Sequence, residues 1–373
     1  MRILLVTHDF PPASTGGEGV VAGTLARMLV SVGVDLEVVA PNQDGAVAFD
    51  ESAPYLVHRV EAPAKTFLRR TPSFYRASAP VIRRYEGDLV YYFRPAILRK
   101  KLPMVVHFHT TRFGEAMGCF RSRAYLSGIL NLLYVPFERR MAKAANLVVV
   151  PTETMKSEVV KFSAIGYDAI SVLHNPVALD YWSTRVVDRG EAHVIKLLYV
   201  GRLDLRKGIF DLLNAFKCSL PQTGKISLHI VGDGPMRRKL QRWVRVSGCA
   251  ELVTFQGGAS MAEVRRFYQS HDIVVVPSLY EPFGVVVAEA LASRAMVISS
   301  DACVDLGQVR FPRGNVDALC SAIVDSARLI EGRPTSMDNN VPMIEVLGQL
   351  REEVVVGKLL KLFALARARF GHS

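Results

Sequence analysis

The chain has 373 residues, long for one domain and sufficient for two, each with its own core. Half of the residues are hydrophobic, yet no uninterrupted apolar run approaches the roughly 20 residues needed to span a bilayer, which excludes a membrane-spanning helix. The formal charge of +11 is concentrated: Ala62 to Lys143 holds 16 Lys and Arg against four acids (Glu86, Asp88, Glu115, Glu138), and the remainder is nearly neutral.

In chain order, Arg2 to Thr7 is a short apolar run ended by polar residues, which reads as a first strand and not as a signal peptide, so a cytoplasmic protein is expected. Gly19 to Val32 follows with helical spacing, then Asp35 to Ala40, Leu89 to Phe93, Met104 to His109 and Leu147 to Pro151 as further strands. Short Val/Ile/Leu runs alternating with amphipathic segments predict a parallel sheet covered on both faces. At His174 to Asp180 a Pro and a turn-forming Asn interrupt the pattern. It restarts with Lys196 to Val200, Ser227 to Val231, Val253 to Gln256, Ile273 to Pro277 and Met296 to Ser299, and Ile344 to Arg369 closes the chain as a long amphipathic helix. The expected fold class is α/β, with two doubly wound Rossmann-like domains over residues 1–177 and 178–349. Five scattered cysteines, with no C-x-x-C pair, indicate neither a disulfide framework nor a zinc site and are expected as small core residues.

Several motifs lie at expected strand ends. Thr15-Gly-Gly-Glu-Gly19 is a loose dinucleotide fingerprint, but it follows the first strand too late, behind Pro11 and Pro12. Met104 to Thr111 puts His107 and His109 on one face; with no third ligand in sight, no metal is expected there. In Tyr199 to Asp211 a strand ends at Gly201, Arg202 follows, and Lys207-Gly208 leads into a helix. Arg gives forked contacts to phosphate oxygens and Lys a mobile point charge, so Arg202 and Lys207 can neutralise a diphosphate. Val231-Gly-Asp-Gly-Pro235 (Gly232, Asp233, Gly234) and Phe255-Gln-Gly257 are further strand-end turns.

Glu281-Pro-Phe-Gly-Val-Val-Val-Ala-Glu289 reads as loop then helix, with Pro282 suited to the first helical turn. Phe283, Gly284 and Val285 stand where unpaired backbone N–H groups meet a phosphate or sugar, Gly284 leaving room for close approach. Glu289 interrupts an apolar stretch, where an unpaired charge is costly. The spacing fits a nucleotide sugar across the helix start, with Glu289 accepting from two ribose hydroxyls and Glu281 reaching sugar hydroxyls. It does not fit two hydrolytic carboxylates flanking one bond.

On these motifs the chain resembles the retaining glycosyltransferases of family 4, of GT-B fold, whose signature is two glutamates separated by seven residues. The match covers Gly201 to Glu289 best. The resemblance implies that Gly16 and Gly17 belong to a loop facing the interdomain cleft, that His109 lies beside the transferred sugar, and that Arg202 and Lys207 hold the diphosphate. It also implies that the turns at Gly232, Asp233 and Gly234 and at Phe255 to Gly257 line base and ribose, with Gly201 among the residues that bind the nucleotide sugar, and that a closing helix from about 350 to 373 crosses back to the first domain. Asp-x-Asp is absent, in keeping with metal-independent phosphate binding, and no cofactor is expected because the nucleotide sugar is a substrate. One departure stands out. Ser299 to Pro312 is shorter than the family's loop and lacks its Gly pair, which puts contacts from that loop to the donor in doubt.

The expected function is transfer of a sugar from a nucleoside diphosphate sugar to an acceptor, with retention of configuration and front-face attack. A GT-B epimerase or phosphorylase, or a non-catalytic nucleotide-sugar-binding protein, are the alternatives. The base-rich segment interleaves Phe67, Leu68, Phe74, Tyr75, Tyr85, Tyr91, Tyr92 and Phe93 with arginines and lysines, although Leu89 to Phe93 reads as a buried strand, and Arg121, Arg123, Arg139, Arg140 and Lys143 flank the apolar Tyr125 to Phe137. No nucleic-acid motif accompanies it, so nucleic acid is not expected as a partner. Two readings remain open: an anionic membrane surface, giving peripheral attachment at the inner membrane face and a lipid-linked acceptor, or a solvated face serving an anionic soluble acceptor.

Overall fold

A computed structural model describes residues 1–12, 17–62, 67–93 (without the side chains of 67–71), 101–183, 194–223, 225–332 and 346–371. Two parallel sheets organise it. The chain runs β1 (Arg2–Val6), α1 (Gly17–Ser31), β2 (Asp35–Pro41), α2 (Ala46–Ser52), β3 (Leu56–Val60), α3 (Phe67–Arg84), β4 (Leu89–Tyr92), β5 (Met104–His107), α4 (Arg112–Arg121), α5 (Tyr125–Leu132), α6 (Val135–Ala144), β6 (Leu147–Val150), α7 (Glu153–Ser163) and β7 (Ile170–Val172). It continues α8 (Leu179–Trp182), β8 (Ile195–Val200), α9 (Ile209–Ser219), β9 (Ile226–Val231), α10 (Arg237–Val246), β10 (Val253–Gly257), α11 (Met261–Ser270), β11 (Ile273–Val276), α12 (Val285–Ala292), β12 (Met296–Ser300), β13 (Val309–Phe311), α13 (Val316–Glu331) and α14 (Glu352–Gly371). Among the described residues no helix is long and apolar enough to cross a membrane.

One compact unit comprises Met1–Ala116, Ile129–Pro176 and Leu350–Ser373, the other Met117–Gly128 and Val177–Gln349. In the first unit the strand order is β3-β2-β1-β4-β5-β6-β7, so the order reverses between β1 and β4. The second has β10-β9-β8-β11-β12-β13 and reverses between β8 and β11. In such open sheets ligands bind beyond the carboxyl ends of the strands at the reversal.

The central strands are the short aliphatic runs expected, buried on both faces: β4, β5, β6 and β11 have no exposed residue. The strands not expected are β3, β7 and β13. All three are edge strands with a single ladder, and partial exposure leaves them polar or only three residues long. Helix ends follow local chemistry: Thr152 caps α7, Asn315 caps α13, and Ser260 with Glu263 forms a capping box on α11. The closing helix, expected from Ile344, starts at Glu352, and residues 344–345 lie outside the described ones.

Two expectations are corrected. Pro282 does not sit in the first turn of α12: the helix starts three residues later, at Val285, behind Gly284, which is left-handed at φ 88°. Of the aromatics of the base-rich segment, Phe74 and Tyr85 are buried in the core of the first unit and Tyr75 is half-buried, while Tyr91, Tyr92 and Phe93 are buried as a central strand requires. The side chain of Phe67 lies outside the described residues. Of the cysteines, four are buried as expected and Cys218 is exposed.

Candidate active site

In the second unit the motif residues converge on the carboxyl ends of β8 and β11. After β8 the ladder continues one residue, Gly201 N–H donating to Val231 O at 3.0 Å. Asp204 then caps a single 3₁₀ turn, Leu205–Lys207, accepting from the Arg206 N–H at 2.9 Å. Gly208 ends that turn at φ +66°, where a Cβ would stand 1.9 Å from the Pro277 carbonyl oxygen. Only glycine permits this approach, and it presses the Lys207 turn against the end of β11. The loop after β11 is tied to the same turn, since the Leu279 N–H donates to Arg206 O at 2.7 Å.

Lys207 and Glu281, 74 residues apart, are thereby brought together: Lys207 Nζ lies 2.5 Å from Glu281 Oε2, both side chains half-buried. Burial works against the Lys207 ammonium, but the facing Glu281 carboxylate, with Asp204 behind it, outweighs burial and raises its pKa. Arg202 stands apart from the pair. Its side chain is 61% exposed, with Nε 3.8 Å from Asp204 Oδ2, so it points into solvent beside the turn.

α12 brings the second glutamate. Glu289 is five residues beyond Gly284, on the order of 7 Å up the axis. Burial pushes its carboxyl up to about 7, moderated by the Tyr268 hydroxyl, which donates to Oε2 at 3.1 Å. Tyr268 comes from α11 and packs edge-on against Trp182 at 5.5 Å. The ring of Phe283 is fully buried, Gly284 is buried beside it against Glu281, Cys303 and Val287, and Val285 at the helix start is half-buried. Asp233 is largely exposed and accepts from the Gly234 N–H at 2.7 Å and from Arg237 at 3.0 Å; these two bonds hold its pKa below the usual range. Gly232 N–H donates to Gly257 O at 2.6 Å, joining the two Gly turns.

Tyr268 and Cys303 were not legible as site residues. Tyr268 comes from another helix outside the motifs, and Cys303 lies in the Ser299 to Pro312 loop, which was read only for its length and missing Gly pair. Cys303 Cβ lies 3.4 Å from where a Gly284 Cβ would stand, and burial beside Glu281 pushes its thiol up to about 12. The short loop that puts donor contacts in doubt is itself well held. Val304 N–H donates to Phe283 O at 2.8 Å, and the buried Gln308 amide bonds Ser299 Oγ, Val304 O and the Leu306 N–H, each at 2.8 Å.

In the first unit, His107 and His109 share one side at the carboxyl end of β5, as their spacing requires, with ring centroids 3.8 Å apart. His107 is buried and bonded to the Tyr91 hydroxyl at 2.6 Å, and burial lowers its pKa to about 3, so it is a neutral core histidine. His109 is also buried, stacked on Phe93 at 4.3 Å. Along the same edge β1 runs out into Thr7-His8-Asp9, with His8 Nδ1 3.8 Å from Glu18 Oε1. Gly17 opens α1 with nothing within 4 Å of where a Cβ would stand, and Gly16 lies outside the described residues.

Two family models match: Glycosyltransferase Family 4 over residues 15–181 and Glycosyl transferases group 1 over residues 190–310. An uncharacterised glycosyltransferase of Methanocaldococcus jannaschii is 26% identical over 322 residues, 80% of each chain. Among solved structures, sucrose-phosphate synthase from Thermosynechococcus elongatus superposes with a TM-score of 0.79 at 22% identity, covering 100% of both chains. Anabaena HepE, solved in complex with UDP and glucose, gives 0.72 at 16% identity, covering 97% of this chain and 98% of that one. The fold of both neighbours is the one described above. With matches that run through both halves of the chain, the protein belongs to glycosyltransferase family 4, the glycosyl transferases group 1, has the GT-B fold, and is a glycosyltransferase.

Proposed function

We propose that the protein moves a hexose from a nucleoside diphosphate sugar to an acceptor hydroxyl, with retention of anomeric configuration and without a metal. The observation that carries this reading is the Lys207–Glu281 pair at the β8/β11 reversal, beside the helix start at Gly284 and the half-buried Glu289. Anabaena HepE is in complex with UDP and glucose, which supports a donor of this chemical class.

In the proposed reaction the diphosphate lies over the 3₁₀ turn and the start of α12. Lys207, Arg202 and the main-chain N–H groups at Gly284 and Val285 bear on its oxygens. Glu289 accepts from the ribose hydroxyls and Glu281 from the sugar. The acceptor oxygen attacks the anomeric carbon from the face that the diphosphate leaves. As the bond from that carbon to the phosphate oxygen breaks, its electrons stay with the phosphate, which takes the acceptor proton, and glycoside and nucleoside diphosphate result. Negative charge grows on the phosphate during this step, so cations already in place lower the barrier without reorganising. An acceptor carried on an anionic membrane surface goes with the reading.

Thermal-shift measurement against a panel of nucleotide sugars tests it. A donor present at 100 times its dissociation constant should add about 2.7 kcal/mol, with a weaker shift for the matching nucleoside. No stabilisation by any nucleotide sugar or nucleoside diphosphate would overturn the reading.

A further inference from the structure

Two of the five cysteines meet, although 102 residues separate them in the chain. Cys218 lies in the last turn of α9 and Cys320 early in α13, both within the second unit. Core packing imposes the meeting: Leu212, Leu213 and Phe216 of α9 and Leu319, Ile323 and Ala327 of α13 belong to one buried cluster, so the two helices lie side by side. At their contact the Cys320 thiol donates to Cys218 Sγ at 2.7 Å. A disulfide holds its sulfurs about 2.05 Å apart, so less than about 1 Å of movement separates this contact from a bond.

The two thiols are unequally placed. Cys218 is exposed, whereas Cys320 is buried. Burial, and then the facing Cys218 sulfur, push the Cys320 thiol up to about 12, which keeps it protonated at neutral pH. An oxidant in water therefore reaches Cys218 first. A sheltered thiol directly behind an exposed one intercepts the first oxidation product, so that oxidation stops at a disulfide and does not run on to the irreversible acids. Two sulfurs fall short of the four ligands of a structural zinc, and among the described residues no group of three His, Cys, Asp or Glu could hold a metal ion.

We propose that Cys218 and Cys320 form a reversible redox site, at which a peroxide joins them by a disulfide that ties α9 to α13. The Cys218 sulfur attacks a peroxide oxygen; the O–O bond breaks, the sulfur becomes a sulfenic acid and one water leaves. The Cys320 sulfur then attacks the Cys218 sulfur; the S–O bond breaks, and the departing hydroxide takes the Cys320 proton and leaves as a second water. Two thiols and one hydrogen peroxide thus give one disulfide and two waters. A dithiol reductant returns both thiols by exchange and becomes a disulfide itself. The bridge closes a long loop and so restricts the unfolded chain more than the folded one. No sugar donor takes part, so the site stands or falls apart from the transferase reading.

The test is treatment of the whole protein with hydrogen peroxide at neutral pH, then alkylation in denaturant and peptide mass spectrometry. The expected result is loss of two of the five free thiols and a linked peptide joining Cys218 to Cys320, both reversed by dithiothreitol. The oxidised protein should melt about 5–10 °C higher than the reduced one. Reduced Cys218→Ser should melt as the parent does, because the position is exposed, and peroxide should give it neither the linked peptide nor the rise. Absence of the Cys218–Cys320 peptide after oxidation, a bridge that leaves the melt unchanged, or a rise that persists in Cys218→Ser overturns the proposal. So does linkage of Cys218 between two chains with Cys320 still free; Cys218 would then be an ordinary surface thiol.

Discussion

Glu289 shows how far a single residue can be read ahead of its surroundings. Its charge inside an apolar run marks it as costly, and burial does raise its pKa to about 7. The group that moderates that cost, Tyr268, sits on another helix, and one chain position gives no sign of which tyrosine will arrive. The same holds for Lys207 and Glu281: each is visible within its motif, but their contact across 74 residues is a product of the fold. The proposed ribose role has a pH signature. Ligand-free Glu289 is protonated below about pH 7, whereas hydroxyls donating to it favour the ionised form. Donor affinity should therefore rise about tenfold from pH 6 to pH 8 and then level off. In the free protein the sign is opposite for stability. The folded chain keeps a proton that the unfolded chain loses near the ordinary value of 4.5, so stability declines as pH rises from there to about 7. Calorimetric titration and thermal melts of the parent and of Glu289→Gln should show both slopes in the parent only. Equal slopes in the two proteins would remove Glu289 from the donor site.

At the scale of elements, the strands of the two sheet centres were legible because burial on both faces demands uninterrupted Val, Ile and Leu. Edge strands β3, β7 and β13 were not, since one ladder and partial solvent contact leave no such run. The start of α12 was misread by proline preference: Pro282 suits a first turn, but the left-handed Gly284 sets the helix start. Sequence also leaves the fate of the loop after β12 open. Its missing glycines suggest lost contacts, whereas Gln308, buried and bonded at both ends of its amide, fixes the loop against Phe283. Gln308→Ala leaves a buried Leu306 N–H and Val304 carbonyl without that partner, at a cost of about 1–3 kcal/mol. Urea unfolding should show this loss together with weaker donor binding, because Val304 and Cys303 back the Gly284 turn. A loss below about 0.5 kcal/mol would mean that the loop is held by other contacts.

Across the whole molecule, two parallel sheets each reverse their strand order once, and the second reversal is where Lys207 and Glu281 meet and where the proposed phosphate site lies. The alternation of elements made that architecture readable, and the uneven charge made a second, basic surface readable. Of the side chains read for it, the bases flanking Tyr125 to Phe137 are exposed as expected, and the described aromatics before them are not. The aromatics of α3 and β4 go to the core, and α5 turns its aliphatic residues out. The enzymatic reading rests on the clamp at Lys207 and Arg202. Once the donor is known from its thermal shift, release of nucleoside diphosphate should be followed in the parent and in Lys207→Ala, with and without acceptor. The parent should release it, faster with acceptor. Lys207→Ala should be about 10²-fold slower with nucleoside binding nearly unchanged, because the ammonium acts on the leaving phosphate. Turnover in Lys207→Ala equal to that of the parent, or no release by the parent from a donor it binds, would contradict the clamp and the transferase built on it.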